Sequence, residues 1–225
     1  MSLLYILLIF YTGACWSSFL LATFTRRRNG ISILYPRSHC DTCLTTLPYF
    51  CLFPLFSYII SRGHCLYCSC KIPITVLIAE FLGGLLFLNY SDLLTSNLLL
   101  TISLLVLSFL AIEDLAIQEV HSLVLLFPAL LVTRFDFSFS KLFFLIILTL
   151  LLLNNLDGKF IFKKMGQADL EIILFIVILY DVSTGCQIIF FSSLLALLSI
   201  SFQKAKSIPF IPYFWFSTIL LTLST

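Results

Sequence analysis

The sequence predicts an all-α polytopic membrane protein of about eight transmembrane helices with a small cytoplasmic zinc-binding loop domain. Three observations predict it. Of 225 residues, 60% are hydrophobic and only 11% charged, with a mean hydropathy of +1.10, which leaves too little polar surface for a water-soluble domain. Apolar runs long enough to cross or nearly cross a bilayer recur along the chain. The lysines, arginines and cysteines are concentrated in particular connections between those runs.

The first run, MSLLYILLIFYTGACWSSFLLATF, is followed by Arg26, Arg27 and Arg28. A secretory signal carries its charge before the apolar stretch, so residues 1–24 are expected to be an uncleaved first transmembrane helix. Residues 25–72 form a cysteine-rich loop, and residues 73–225 form a helical bundle. Within the bundle, spans are expected at about 73–91, 96–113, 119–133, 140–154, 168–181, 184–202 and 207–224. The 119–133 and 168–181 runs are short and need support from neighbours or a thinner bilayer.

Orientation follows from charge. With the N-terminus outside, eleven of the thirteen Lys and Arg residues fall on the inner side. They are Arg26, Arg27, Arg28, Arg37, Arg62, Lys71, Lys159, Lys163, Lys164, Lys204 and Lys206, against Arg134 and Lys141 outside. The positive-inside rule therefore makes the 25–72 loop cytoplasmic. Lys163 and Lys164 are expected to face anionic headgroups, and Asp157-Gly158 to turn the chain. No nucleic-acid partner is expected; the lipid bilayer is.

The loop holds Cys40-Asp41-Thr42-Cys43 and Cys65-Leu66-Tyr67-Cys68. Two Cys-x-x-Cys knuckles at this separation bring four thiolates to one tetrahedral zinc. A cytoplasmic location argues against stable disulfides, and a redox motif needs no second copy. His39 and His64 precede the knuckles as alternative ligands or solvent-facing neighbours. The loop has few apolar residues for a core of its own, so metal would supply its folding energy.

Several carboxylates sit where charge is costly. Glu80 lies inside the second span beside Gly83 and Gly84, as a functional group or a hydrogen-bonded packing residue. Glu113 and Asp114 end the third span, and Asp169 and Glu171 begin the sixth. The charge-derived topology sets both groups on one face at one depth. Two carboxylates at a low-dielectric boundary share a proton, so that one acts as base on a water while the other acts as acid on a carbonyl. The plainer alternative is that acidic residues simply mark helix ends in the interface, with Asp169 and Glu171 favoured at a helix N-terminus by the dipole.

The order of these features resembles the type IV prepilin peptidase family. Gly13 with Ser18-Phe19-Leu20, Pro36-Arg37-Ser38-His39-Cys40-x-x-Cys43, then Pro54, Ser57, Gly63, Cys65, Cys68, Glu80 and Gly84 carry the first part. Asp114 resembles the first catalytic aspartate, and Gly166-Gln167-Ala168-Asp169 resembles the Gly-x-Gly-Asp motif ending in the second. The chain departs where Val120-His121 replaces the family's Ile-Pro, Ala168 its second glycine, and Glu171 a frequent lysine. An alanine there stiffens the turn.

The resemblance implies an aspartic endopeptidase of the bacterial inner membrane, with Asp114 and Asp169 catalytic and Gly166, Ala168 and Glu80 supporting. Its substrates would be type IV prepilin or pseudopilin precursors, cut between a basic leader and a hydrophobic helix, usually after a glycine. Glu113, Glu119 and Glu171 would attract that leader through charge. The cysteine loop is associated in the family with methylation of the new N-terminus, which adds S-adenosylmethionine beside zinc as an implied cofactor. Two other classes compete: a transporter with Glu80, Asp114 and Asp169 along an ion path, and a zinc-stapled scaffold without catalysis. No internal repeat of the transporter kind is visible.

Overall fold

The computed structural model describes residues 3–89, 98–135, 138–156, 166–202 and 208–224. Lys159, Lys163, Lys164, Lys204, Lys206 and the Asp157-Gly158 turn lie outside them. Among the described residues the structure is helical, with two isolated β-bridges and no strand. The chain divides into two compact units, Met1–Ser96 and Asn97–Thr225.

In the first unit, α1 (Leu3–Arg28) packs along α3 (Ile74–Asn89), and the loop between them carries the short helix α2 (Phe56–Ile60). Glycine makes the α1–α3 contact possible. A Cβ on Gly13 would lie 2.5 Å from the Gly83 carbonyl oxygen, and one on Gly83 would lie 2.5 Å from the Ser17 Cβ. Backbones meet here because nothing projects between them, as small-residue seams in membranes allow. Ser17 Oγ then donates across the seam to the Ala79 carbonyl at 2.8 Å.

The end of α1 is closed by three arginines in its last turn and by a Schellman turn. Gly30, at φ +69°, donates to Arg27, and Ile31 donates to Arg26. Glycine suits the left-handed position, and the cations suit the negative end of the helix. Arg26 also reaches forward, its guanidinium donating to the carbonyls of Ser32, Ile33 and Pro36 at 2.7–3.0 Å. The loop's first residues are thereby tied to the helix that feeds them.

The second unit contains α4 (Leu98–Ile117), α5 (Leu126–Phe135), α6 (Phe139–Leu156), α7 (Gln167–Leu179), α8 (Val182–Phe202) and α9 (Ile211–Ser224). Helix α9 packs on α4 and α8, and α6 packs on α7. Leu107, Leu110, Leu125, Leu148, Ile172, Phe175, Ile188 and Phe214 are among its buried core. Large apolar side chains elsewhere on these helices face outward, Phe127, Phe190 and Leu197 among them, as in a protein whose solvent is lipid.

A helix stands in each of the eight expected stretches. Among the described residues three are long and apolar enough to cross a membrane by length and composition: Leu3–Arg28, Leu98–Ile117 and Val182–Ser199. The expected 168–181 span is a helix of 13 residues, about 20 Å at 1.5 Å per residue and short of a ~30 Å hydrocarbon core. The expected 119–133 span opens with a 3-10 turn, Ser122–Leu125, before α5 begins.

Candidate functional site

The cysteine loop is built from two copies of one turn. Arg37-x-His39-Cys40-x-x-Cys43-x-x-x-Leu47-Pro48 repeats as Arg62-x-His64-Cys65-x-x-Cys68-x-x-x-Ile72-Pro73. The backbone repeats with it. Leu44 and Ser69, each just after a second cysteine, are left-handed at φ +55° and +58°. Their N–H groups donate to the carbonyls of Cys40 and Cys65 at 2.9 and 3.0 Å. Leu47 donates to Ser38 and Ile72 to Gly63, both at 2.8 Å. A β-bridge closes each knuckle, His39 with Thr46 and His64 with Lys71.

Each histidine is committed to its own knuckle. His39 and His64 contact the Arg37 and Arg62 carbonyls through Nδ1 at 2.9 and 2.8 Å. The four sulfurs of Cys40, Cys43, Cys65 and Cys68 lie within 4.8 Å of one another. A tetrahedron with Zn–S bonds of about 2.3 Å places its sulfurs about 3.8 Å apart. The Cys40 and Cys68 sulfurs are 3.8 Å apart, far beyond a bonded S–S distance of about 2.05 Å.

Donors also favour the thiolate, the form that binds metal, at Cys40 and Cys43, whereas contact with the neighbouring thiols and burial hold the Cys68 thiol above its ordinary range. The backbone N–H groups of Cys43 and Thr42 pull the Cys40 thiol down to about 6. The Thr45 hydroxyl and backbone lower Cys43. Burial instead raises Cys51, which lies outside the four-sulfur group. A fifth thiol, Cys70, sits 3.5 Å from the Cys40 sulfur; the Cys-x-x-Cys pattern gives no hint of it. The donor set and spacing fit zinc.

Beside this cluster is a cavity of about 390 Å³, lined by Arg26, His39, Asp41, His64, Lys71 and Glu80 among others. Glu80 is buried in α3, and its Oε2 accepts the Leu55 N–H at 2.7 Å. Leu55 occupies a tight left-handed turn (φ 65°, ψ −53°) in which Phe56 N–H reaches back to the Pro54 carbonyl. Glu80 thus ties the start of α2 to α3, joining loop and helix in one unit.

In the second unit, Asp114 closes the last turn of α4 and is almost completely buried. Its Oδ2 accepts the N–H of Ile211, the first residue of α9, at 3.1 Å. Asp169 stands in the first turn of α7, and its own N–H donates to the Gly166 carbonyl at 3.1 Å. A Cβ on Gly166 would lie 2.9 Å from the Asp169 Oδ2. The glycine therefore leaves room for the carboxylate to fold back over the helix start. Asp114 and Asp169 lie within Coulombic reach of each other.

The other acidic residues differ in placement. Glu113 and Glu171 have 0% exposure, whereas Glu119 is exposed. Ala168 packs partly buried against the core. Ile211 carries no chemical side chain that could flag it in a sequence. Its one sequence signal is the bracketing of Phe210-Ile211 by Pro209 and Pro212.

A helical protein of membrane composition with a four-cysteine knuckle loop is the class that fold and site define. Residues 11–91 match the family model for the bacterial peptidase A24 N-terminal domain. Over 84 residues the chain is 34% identical to a protein of Myxococcus xanthus (strain DK1622) named "Prepilin leader peptidase/N-methyltransferase". That alignment covers 37% of this chain and 25% of the relative, so the chain matches about a quarter of the relative's length. No solved structure matches. Over residues 11–91 the chain is thus similar to the N-terminal domain of the bacterial A24 peptidases. The family-model match ends at residue 91, before Asp114 and Asp169.

Proposed function

We propose that this chain is a membrane aspartic endopeptidase that removes the basic leader of type IV prepilin or pseudopilin precursors. It would act at the cytoplasmic face of a bacterial inner membrane. The observation that carries the proposal is the pairing of Asp114 and Asp169 at two helix ends, within Coulombic reach of each other. Two carboxyls so placed cannot both ionise freely. The ionised one takes a proton from a water, whose oxygen attacks the scissile carbonyl; the protonated one donates to the carbonyl oxygen. The relative's printed name supports a leader-bearing precursor as substrate. Among the acidic residues expected to attract the leader, Glu119 has the exposure that such a contact requires.

The second part of that name supports methylation of the new N-terminus by the same chain. S-adenosylmethionine would supply an electrophilic methyl group. The cavity beside the thiols is of cofactor-pocket size, and Lys71 and Asp41 offer opposite charges for the carboxylate and ammonium ends of such a donor. Cys40, Cys43, Cys65 and Cys68 would hold a structural zinc that cross-links the two knuckles.

Co-expression with a prepilin-like precursor tests the peptidase. Asp114→Asn and Asp169→Asn should each reduce leader removal by at least about a hundredfold, with membrane abundance unchanged. Trimming by either variant at the wild-type rate would rule the dyad out.

A further inference from the structure

Two adjacent carboxylates end α4, and they face different partners. Asp114 accepts the Ile211 N–H. Glu113, with 0% exposure, turns toward the connector that follows the helix. Its Oε2 accepts the backbone N–H of His121 at 3.2 Å and lies 3.3 Å from the His121 Nδ1.

The segment between them doubles back. Gln118 donates its N–H to the Asp114 carbonyl at 3.0 Å and then adopts φ +56°, a left-handed conformation unusual for a non-glycine residue. Three residues later the chain has returned to Glu113, and the 3-10 turn begins at Ser122, which is buried. One carboxylate oxygen therefore closes the return loop that starts at the Asp114 carbonyl. Helix ends fray where their last groups lack such ties.

We propose that Glu113 is a positioning residue for the peptidase site. By holding His121 it fixes the end of α4, and with it the direction in which Asp114 meets Ile211 and Asp169. The inference rests on Asp114 being catalytic. It assigns Glu113 a role unlike leader attraction, which needs an exposed charge.

The test measures cleavage of a synthetic precursor segment, a Lys/Arg leader ending in glycine and followed by a hydrophobic helix, in membranes carrying each variant. Glu113→Ala should lower kcat about tenfold or more with KM within about twofold, because a lost transition-state alignment acts on kcat. Glu113→Gln keeps an oxygen that can accept the His121 N–H and should stay within about threefold of wild type. His121→Pro removes the N–H at a residue whose φ of −86° is near the proline range, and should reproduce the alanine loss. It also carries the test should Glu113→Ala fail to reach the membrane.

Equal rises in KM for Gln and Ala would instead assign Glu113 to leader charge, and wild-type kinetics in all three variants would remove the positioning role. Asp114→Asn runs alongside. If it cleaves like wild type, the peptidase reading fails, and the positioning role fails with it. Amide exchange at His121, protected in wild type and Glu113→Gln but not in Glu113→Ala, still reports separately whether the tie exists.

Discussion

Asp114 depends on a donor that has no side chain. At the start of α9, Pro212 has no N–H, and the Tyr213 and Phe214 N–H groups go to the Phe210 carbonyl at 3.1 and 3.4 Å. Ile211 therefore supplies the N–H that Asp114 takes. Such first-turn donors are normally capped by a nearby side chain; here the cap comes from 97 residues away. Ile211→Ala keeps the donor and should leave cleavage close to wild type. Ile211→Pro removes it and leaves Asp114 with the neighbouring Phe210 backbone as its remaining donor, a loss of about 1–3 kcal/mol. Cleavage assayed at matched membrane levels should fall for proline alone, and equal rates in the two variants would show that the bond does not matter. At this scale the sequence is informative about acids and silent about backbone. Asp114 and Asp169 stand out as charge beside apolar runs, whereas Ile211 is one more aliphatic among many. Glu113 and Glu171 illustrate a second limit, since a carboxylate at a helix end has the same letter whether it is buried or solvated.

The knuckles are elements whose geometry lies in their backbone and whose stability would come from metal. Their sequence halves share Arg, His, two Cys and a terminal aliphatic-Pro pair at an offset of 25 residues. The cysteine spacing predicts the ligands; the equivalence of the two halves becomes plain once the paired hydrogen bonds and left-handed residues are compared. Four sulfurs within 4.8 Å, held by an otherwise thin loop, need a cation to offset their mutual repulsion as thiolates. Structural zinc in small domains contributes about 10–16 kcal/mol at neutral pH, more than this loop's sparse apolar contacts can supply. Elemental analysis of purified protein should find about one zinc per chain. Cys40→Ser, Cys43→Ser, Cys65→Ser and Cys68→Ser should each abolish it, and Cys51→Ser should retain it. Cys70→Ser is the informative control because its sulfur lies 3.5 Å from Cys40. Loss of zinc there with retention in Cys68→Ser would exchange the fourth ligand.

For the whole molecule, helix positions were the most legible feature, because burial in lipid imposes one crude requirement on every residue of a span. All eight expected stretches contain a helix. Their lengths were less legible: α7 has 13 residues and the 119–133 stretch opens with a 3-10 turn, since polar groups such as Asp169 and Glu113 recruit the helix ends for local bonds. Sidedness rests on charge alone, with eleven Lys and Arg residues on one proposed face and two on the other. It has a direct consequence for the proposed peptidase, whose carboxylates must meet a leader that has not left the cytoplasm. In a background carrying Cys15→Ser and Cys186→Ser, single reporter cysteines at Ser32 and Ser140 should respond oppositely to a membrane-impermeant maleimide. Both positions are exposed, so access is decided by the bilayer. Ser140→Cys should label in intact spheroplasts, and Ser32→Cys only after permeabilisation, with the unsubstituted background setting the contribution of the six remaining cysteines. The opposite pattern would invert the topology. The charge count would then have failed as a guide, and the carboxylate pair would face away from any cytoplasmic leader.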